Sequence, residues 1–313
     1  MPSIPEKNER GLVMRKVMVT GGAGFIGSHL VDALLEEGFE VIVVDNESSC
    51  CNEEYFYNEN ATNIKLDISK DVKELDLAMK GVSVVFHLAA ESKQQWSISC
   101  PDETYQTNII GTANLLNLSH KHRINKFILS SCCSVYGNKN NTPLKEDMHR
   151  DCINPYSASK SASEELCKMY YRFHDLDTII LRYFNVYGER MPSDPRYASA
   201  VSVFKNQKGE ERPLTLTGSG DQIRDFVYVG DVVDANIKAL SVAQYHCPGE
   251  VINIGSGKGT SILELANMID LHSKKEVVRP SGEVDESVAD ILKARMLLNW
   301  RPKQDLRGWI DGR

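Results

Sequence analysis

Tyr156 and Lys160 stand four residues apart in the stretch NPYSASKSASEEL, 154–166. On a helix that spacing puts both side chains on one face. A tyrosine is a poor base at neutral pH because its ordinary pKa is about 10, and a nearby lysine ammonium favours the phenolate. Such a pair can move a proton on and off a hydroxyl. Alone it is weak evidence, because the same spacing arises by chance on ordinary amphipathic helices. A second group of reactive types is ILSSCCSVYG, 128–137, where two adjacent thiols sit among three hydroxyls at the end of an apolar run.

The stretch TGGAGFIG, 20–27, follows an apolar run and opens a helical pattern. Gly21 permits a tight turn, Gly24 lets the backbone approach a pyrophosphate, and Gly27 lets the helix lie close on the sheet. Phosphates then meet the free N–H groups of a helix N-terminus, here at Phe25 and Ile26. Asp45 ends the next apolar run, EVIVVD, where a carboxylate accepts hydrogen bonds from the adenosine ribose. Asn46 and Glu47 offer no cation for a ribose phosphate, which favours NAD over NADP. Asp67, ending NIKLD, is placed near the adenine. With a dinucleotide loop upstream, the Tyr156–Lys160 pair reads as a proton acceptor working beside a nicotinamide that takes hydride from the same carbon.

These groups need a scaffold that brings them together. Runs apolar on both faces, KVMV, EVIVV, NIKL, VSVVFHL, KFILS and DTIILRYF, alternate with helical patterns near 25–37, 108–120 and 155–173. That texture predicts an α/β fold, a doubly wound parallel sheet covered on both sides, with a smaller C-terminal substrate-binding lobe. The expected division is a dinucleotide-binding domain over 14–185 with a returning segment 225–255, and a second lobe from 186–224 and 256–313. Residues 1–13 lack periodicity and read as a disordered extension, with Met14 as an alternative start.

The chain has 313 residues, 42% of them hydrophobic, so it can bury a sizeable core. No stretch is long and apolar enough for a membrane span, and the N-terminus is polar, so a cytoplasmic protein is expected. A net charge of −7 argues against nucleic-acid binding. The eight cysteines show no zinc-finger spacing and adjacent ones bridge poorly, so reduced thiols and no metal are expected.

TGGAGFIG, HLAA (87–90), SSCCSVYG (130–137), Y-x-x-x-K, RYFNVYG (182–188) and RDFVYVGD (224–231) together resemble the extended short-chain dehydrogenase/reductase family, specifically its nucleotide-sugar epimerases and dehydratases. The likeness runs in consistent order from about Met14 to the end. It implies NAD as cofactor, held also by Ile68, Leu88, Ala89, Ala90, Asn108, Ser130 and Tyr183 besides Tyr156 and Lys160. In this family a serine or threonine stands where Cys132 is found, hydrogen-bonding the reacting sugar hydroxyl. Cys132 is therefore expected on the active-site wall, with Ser131 or Ser134 able to substitute by a small shift, and Cys133 in core packing.

The resemblance also bears on the reaction. Family dehydratases carry an acid pair at the positions of Cys133 and Ser134, and decarboxylases keep the glutamate; neither is present here. What remains is oxidation at C4, rotation of the keto sugar and return of hydride to its other face, a 4-epimerisation of a UDP-hexose or its N-acetyl form. The loop HLAAES resembles the dehydratase version and keeps that alternative open, as does a non-catalytic NAD-binding sensor. For the substrate, the resemblance puts Asn185 and Arg224 on the diphosphate, Arg279 and Glu283 in an R-x-G-D/E element on the uridine side, and Pro213 to Leu216 along the base. Ser287 aligns with a gatekeeper whose small size leaves room for an acetamido group. A surface ion pair with Asp221 or Asp225 is the alternative for Arg224. A homodimer through the helices near 108–120 and 155–173 is implied.

Overall fold

Short runs that are apolar on both faces cannot leave either face in water, and here they pair into one covered sheet. The computed structural model describes residues 16–49, 55–194, 198–242, 249–279 and 283–312. The expected N-terminal extension, Met14, Cys50, Cys51 and Cys247 lie outside the described residues.

The strands are β1 (Lys16–Thr20), β2 (Glu40–Asp45), β3 (Thr62–Lys65), β4 (Val84–His87), β5 (Lys126–Cys132), β6 (Thr178–Tyr183), β7 (Asn185–Tyr187), β8 (Leu214–Thr217), β9 (Ile223–Tyr228), β10 (Glu250–Ile254), β11 (Gly259–Ser261), β12 (Lys274–Val277) and β13 (Glu286–Ser287). Seven of them form a sheet in the order β10-β6-β5-β4-β1-β2-β3. All its pairings are parallel. The two faces bury separate cores, as a period of two demands: Val17 and Val19 pack on one side and Met18 on the other. Because the strands are parallel, their carboxyl ends meet at one edge. There Thr20 lies opposite His87, and Cys132 opposite Tyr183.

The helix after β1 is Phe25–Glu36. The helix carrying the Tyr–Lys pair is Pro155–His174, started by proline at its first turn and by a capping box between Asn154 and Ser157. The helix expected over 108–120 is longer: it runs from Pro101 to His122 and widens into a π-turn at Gln106–Ile110. Such a turn breaks the hydrogen-bond register, and it rotates Asn108 into the interior, where it is 2% exposed.

The segment 225–255 does not return to the large sheet as one piece. β9 lies between β11 and β13, and also pairs with β7, in a second sheet; only the helix Val229–Ser241 and β10 rejoin the first. The reason is polarity. β9 opens on Ile223, Arg224 and Asp225, and two charged residues do not suit a strand covered by helices on both faces. A third core, with Tyr187, Phe204, Leu214, Phe226 and Leu265, supports this smaller region.

Trp300 is fully buried and its Nε1 donates to the Asp231 carbonyl at 2.9 Å, pinning the C-terminal segment to the helix Val229–Ser241. Trp300→Ala is expected to lower the unfolding free energy by about 3–5 kcal/mol, read by urea denaturation. A loss below about 1 kcal/mol would show that the segment is not part of the cooperative core.

Candidate active site

The edge where the strands end opens into a cleft of about 380 Å³. Its floor is the glycine loop. Gly21 has φ +70°, and a Cβ there would come within 2.7 Å of the Ala89 backbone nitrogen. A Cβ on Gly27 would lie 2.1 Å from the Gly21 carbonyl oxygen, so the helix Phe25–Glu36 sits against the loop only because that atom is missing. Gly24 differs. A Cβ there would meet only the Gly21 oxygen, at an ordinary 3.4 Å, and would otherwise point into free space of the cleft. Nothing in the protein itself requires glycine at 24.

Asp45 closes one side. It accepts the N–H groups of Ala23 (3.1 Å) and Glu47 (2.9 Å), while burial pushes its carboxyl above the ordinary value against those bonds. Lys65, not weighed from the sequence, is the nearby cation, and it is paired with Glu47 at 2.5 Å. Asn46 reaches Asp67 at 3.4 Å.

The other end holds the reactive groups. Tyr156, Lys160, Cys132, Ser130 and Tyr183 all line the cleft. Lys160 Nζ donates to the Ser130 carbonyl at 3.0 Å and lies 6.0 Å from the Tyr156 ring centroid. Burial pulls its pKa down to about 8, opposed by Cys132 and Glu164. Burial pushes the Tyr156 phenol well up, and the Cys132 sulfur adds to the effect. The expectation that the lysine makes this phenol acidic is therefore not met by the protein groups alone, because desolvation of the phenolate outweighs an ammonium at that distance. Cys132 goes the other way. The Cys133 thiol, then the Ser134 N–H at 3.5 Å and the Tyr156 phenol, hold its thiol below the ordinary range in spite of burial.

The hydroxyls on this stretch divide. Ser130 Oγ donates to the Tyr183 hydroxyl at 3.0 Å. Ser131 also lines the cleft, but its Oγ donates to Glu164 at 2.6 Å and is engaged there. Ser134 does not line the cleft, and its buried hydroxyl lies beside the Cys132 sulfur, helping to hold that thiol low. Cys133 is half-buried against the larger core, beside Ser287 and Cys132, so core packing describes one side of it only.

Among the residues expected at the dinucleotide, Gly21, Gly24, Phe25, Ile26, Gly27, Asp45, Asn46, Ile68, Leu88, Ala89 and Ala90 line the cleft. Asp67 lines an adjoining cavity that shares Asn46 with it. Asn108 does not face the cleft: its amide brackets the Glu91 backbone, accepting from N at 2.8 Å and donating to O at 2.9 Å, and also donates to Ser159. It shapes the cleft wall from behind.

Residues expected at the substrate form a separate group. Arg224 pairs with Glu283 at 3.2 Å rather than with Asp221 or Asp225. Arg279 shares the same carboxylate at 3.2 Å and reaches Asp285 at 2.8 Å. Asn185 donates to the Asp225 carbonyl at 3.0 Å, Ser287 is buried beside Cys133, and β8, carrying Leu214 to Leu216, pairs with β12.

Sequence reading missed three features. Thr20, His87 and Thr112 form a buried chain of 2.8 Å bonds; Thr112 donates onward to the Asn108 carbonyl, so His87 Nε2 is the donor and Nδ1 accepts from Thr20. Burial holds that imidazole neutral, with a pKa of about 3. Glu91 lines the cleft. Glu164 and Arg182 form a fully buried ion pair, and a guanidinium inside the apolar run TIILRY was the available signal for it.

A doubly wound sheet with a glycine loop at its first turn and a Tyr–Lys pair in the same cleft defines a dinucleotide-dependent enzyme acting at a hydroxyl-bearing carbon. The chain belongs to the NAD dependent epimerase/dehydratase family, whose model matches residues 17–255. It is 38% identical to a putative UDP-glucose 4-epimerase of Methanocaldococcus jannaschii, over 94% of this chain and 95% of that one. Among solved structures it resembles the UDP-glucose 4-epimerase of Thermotoga maritima with UDP-glucose, at 35% identity and TM-score 0.89, covering 94% of this chain and 96% of that one. It also resembles the UDP-N-acetylglucosamine 4-epimerase of Methanobrevibacter ruminantium in complex with UDP-N-acetylmuramic acid, at 33% identity and TM-score 0.86, covering 95% of each chain. Its cofactor is NAD. The cleft fits that group: the space in front of Gly24 is one that a Cβ would enter without touching a side chain of the protein. Among the described residues no helix is long and apolar enough to cross a membrane, and no cluster of three or more His, Cys, Asp or Glu could hold a metal.

Gly24→Ala is expected to keep stability within about 0.5 kcal/mol while weakening NAD binding about tenfold or more. Gly27→Ala is expected to lose both. Thermal denaturation and NAD titration read the two effects, and unchanged NAD affinity in Gly24→Ala would remove the loop from the cofactor site.

Proposed function

We propose that this enzyme interconverts UDP-hexoses at C4, UDP-glucose with UDP-galactose or their N-acetyl forms, through a transient 4-keto sugar. The observation that carries this reading is the meeting of Tyr156, Lys160 and Cys132 in the same cleft as the glycine loop. Bound NAD supplies the hydride acceptor and, in the return step, the donor. The residues handle the proton. Tyr156, as the phenolate that the Lys160 ammonium stabilises, takes it from the C4 hydroxyl, holds it as the neutral phenol while the 4-keto sugar turns, and gives it back in the return step. Cys132 replaces the usual hydroxyl as a hydrogen-bond partner of Tyr156 and of the reacting oxygen.

On the substrate side, Arg224 and Asn185 are assigned to the diphosphate and Arg279 with Glu283 to the nucleoside. A guanidinium fork suits a phosphate, and Arg224 is largely buried yet charged. Ser287 leaves space for an acetamido group. We further assign the chain to the cytosol and to a homodimer. The dinucleotide-binding domain is taken as 14–185 with the helix Val229–Ser241 and β10, and the remainder as the substrate lobe. A second reading, a nucleotide-sugar dehydratase, is favoured by one observation: Glu91 puts a carboxylate in the cleft near Tyr156, where an acid or base for water removal is wanted.

Incubation with a panel of nucleotide sugars, with products read by proton NMR, separates the two. Interconversion at C4 without net cofactor reduction supports the epimerase, release of a stable 4-keto sugar selects the dehydratase, and no turnover of any panel member rejects both. Tyr156→Phe is expected to lower turnover about 10²–10⁴-fold. Because the Lys160 ammonium is needed and is lost on deprotonation, turnover is expected to fall as pH rises through about 8. A rate that keeps rising well above that pH would contradict the role given to Lys160.

A further inference from the structure

Glu164 is fully buried, yet it takes three charge-assisted hydrogen bonds and a further ion pair, and they come from three directions. Ser131 Oγ at the end of β5 donates at 2.6 Å; Arg182 in β6 donates through Nε at 2.8 Å and Nη2 at 2.7 Å; Arg150 forms an ion pair through Nη2 at 3.0 Å. Arg182 in turn lies over the Tyr136 ring at 4.7 Å, in the turn that follows Cys132 and Cys133. Glu164 stands one helical turn after Lys160 and about two after Tyr156. Lys160 holds the Ser130 carbonyl and Glu164 holds the Ser131 hydroxyl, so consecutive residues of the strand are fastened to consecutive turns of the helix.

Resting on the C4 reaction proposed above, we infer that Glu164 is a positioning residue: its carboxylate docks the helix Pro155–His174 on the end of β5, so that Tyr156 and Lys160 meet Cys132 and the reacting carbon in one fixed geometry. Two ties one turn apart resist both sliding and rolling of the helix, which a single contact cannot do. Reaction geometry is sensitive on this scale, since a misplacement of about 1 Å can cost about 10²-fold in rate. The carboxylate also acts on Lys160 through space. The groups facing that ammonium are the Ser130 carbonyl and Cys132 from β5, Tyr156 and Glu164 from its own helix, and His87 from β4. His87 is neutral, so Cys132 and Glu164 are the groups that favour the charged lysine.

A purely structural ion pair makes a different prediction, because exchanging both partners for apolar residues of similar volume is often neutral for stability. The test uses the full chain with Glu164→Gln, the double change Glu164→Leu with Arg182→Met, and Ser131→Ala, which removes only the strand's half of one contact. Thermal denaturation, kcat and KM are measured on each. The pH at which Lys160 becomes reactive is measured independently, by trace acylation read by mass spectrometry. Expected are a midpoint for Lys160 near 8 in the unaltered chain, lowered by about 0.5 pH unit in Glu164→Gln, and a kcat about tenfold to 100-fold lower with KM changed less than about threefold. The double variant is expected to recover stability without recovering kcat, and Ser131→Ala to keep its melting temperature while losing kcat about threefold or more. Recovery of kcat together with stability in the double variant, an unmoved Lys160 midpoint in Glu164→Gln, or unaltered kcat in Ser131→Ala would each overturn the inference. An unaltered chain that turns over no nucleotide sugar would count against the proposed reaction instead, and the Lys160 midpoint would still decide the role of Glu164.

Discussion

A carboxylate sealed away from water has to be met by protein donors or it is too costly to keep charged, and beside the cleft Glu164 is where this molecule meets that demand. Its partners belong to β5, to β6 and to the loop before the Tyr–Lys helix, so satisfying one charge brings together the elements that frame this end of the cleft. Removing one partner of such a pair typically costs about 3–5 kcal/mol, because the other charge is left buried and unpaired. The same constraint explains why Arg182 can sit in the middle of a strand that is otherwise apolar on both faces.

The glycine loop is governed by steric exclusion rather than charge. Gly27 admits the helix to within contact of the Gly21 carbonyl, whereas Gly24 serves only what occupies the cleft. Behind the opposite wall, the π-turn directs Asn108 inward to bracket Glu91, and the neutral His87 links Thr20 to Thr112. The cleft is therefore shaped by groups that do not line it. Their hydrogen bonds are complete, which is what lets polar residues serve as buried spacers.

Two adjacent thiols at the end of β5 change the electrostatics of the reactive site more than its shape. Cys133 holds the Cys132 thiol below its ordinary range against burial, and Cys132 in turn adds to the rise of the Tyr156 phenol and opposes the fall that burial imposes on Lys160. The titrations of these three side chains of the cleft therefore depend on one another.

Signals that are local along the chain were legible without coordinates. The two-faced apolar runs specified strands of a covered parallel sheet, the glycine spacing specified the first loop, and four residues between Tyr156 and Lys160 specified a common helical face, since each depends only on neighbours a few residues away. What depended on distant partners was not legible. Arg224 chose Glu283 over the aspartates beside it, Asn108 turned away from the cleft, Ser131 was claimed by Glu164, and β9 left the large sheet. The directions in which Tyr156, Lys160 and Cys132 are shifted were likewise decided only by folding. Desolvation and charge act through space, and the groups that supply them are brought near by the tertiary structure and not by the order of the chain.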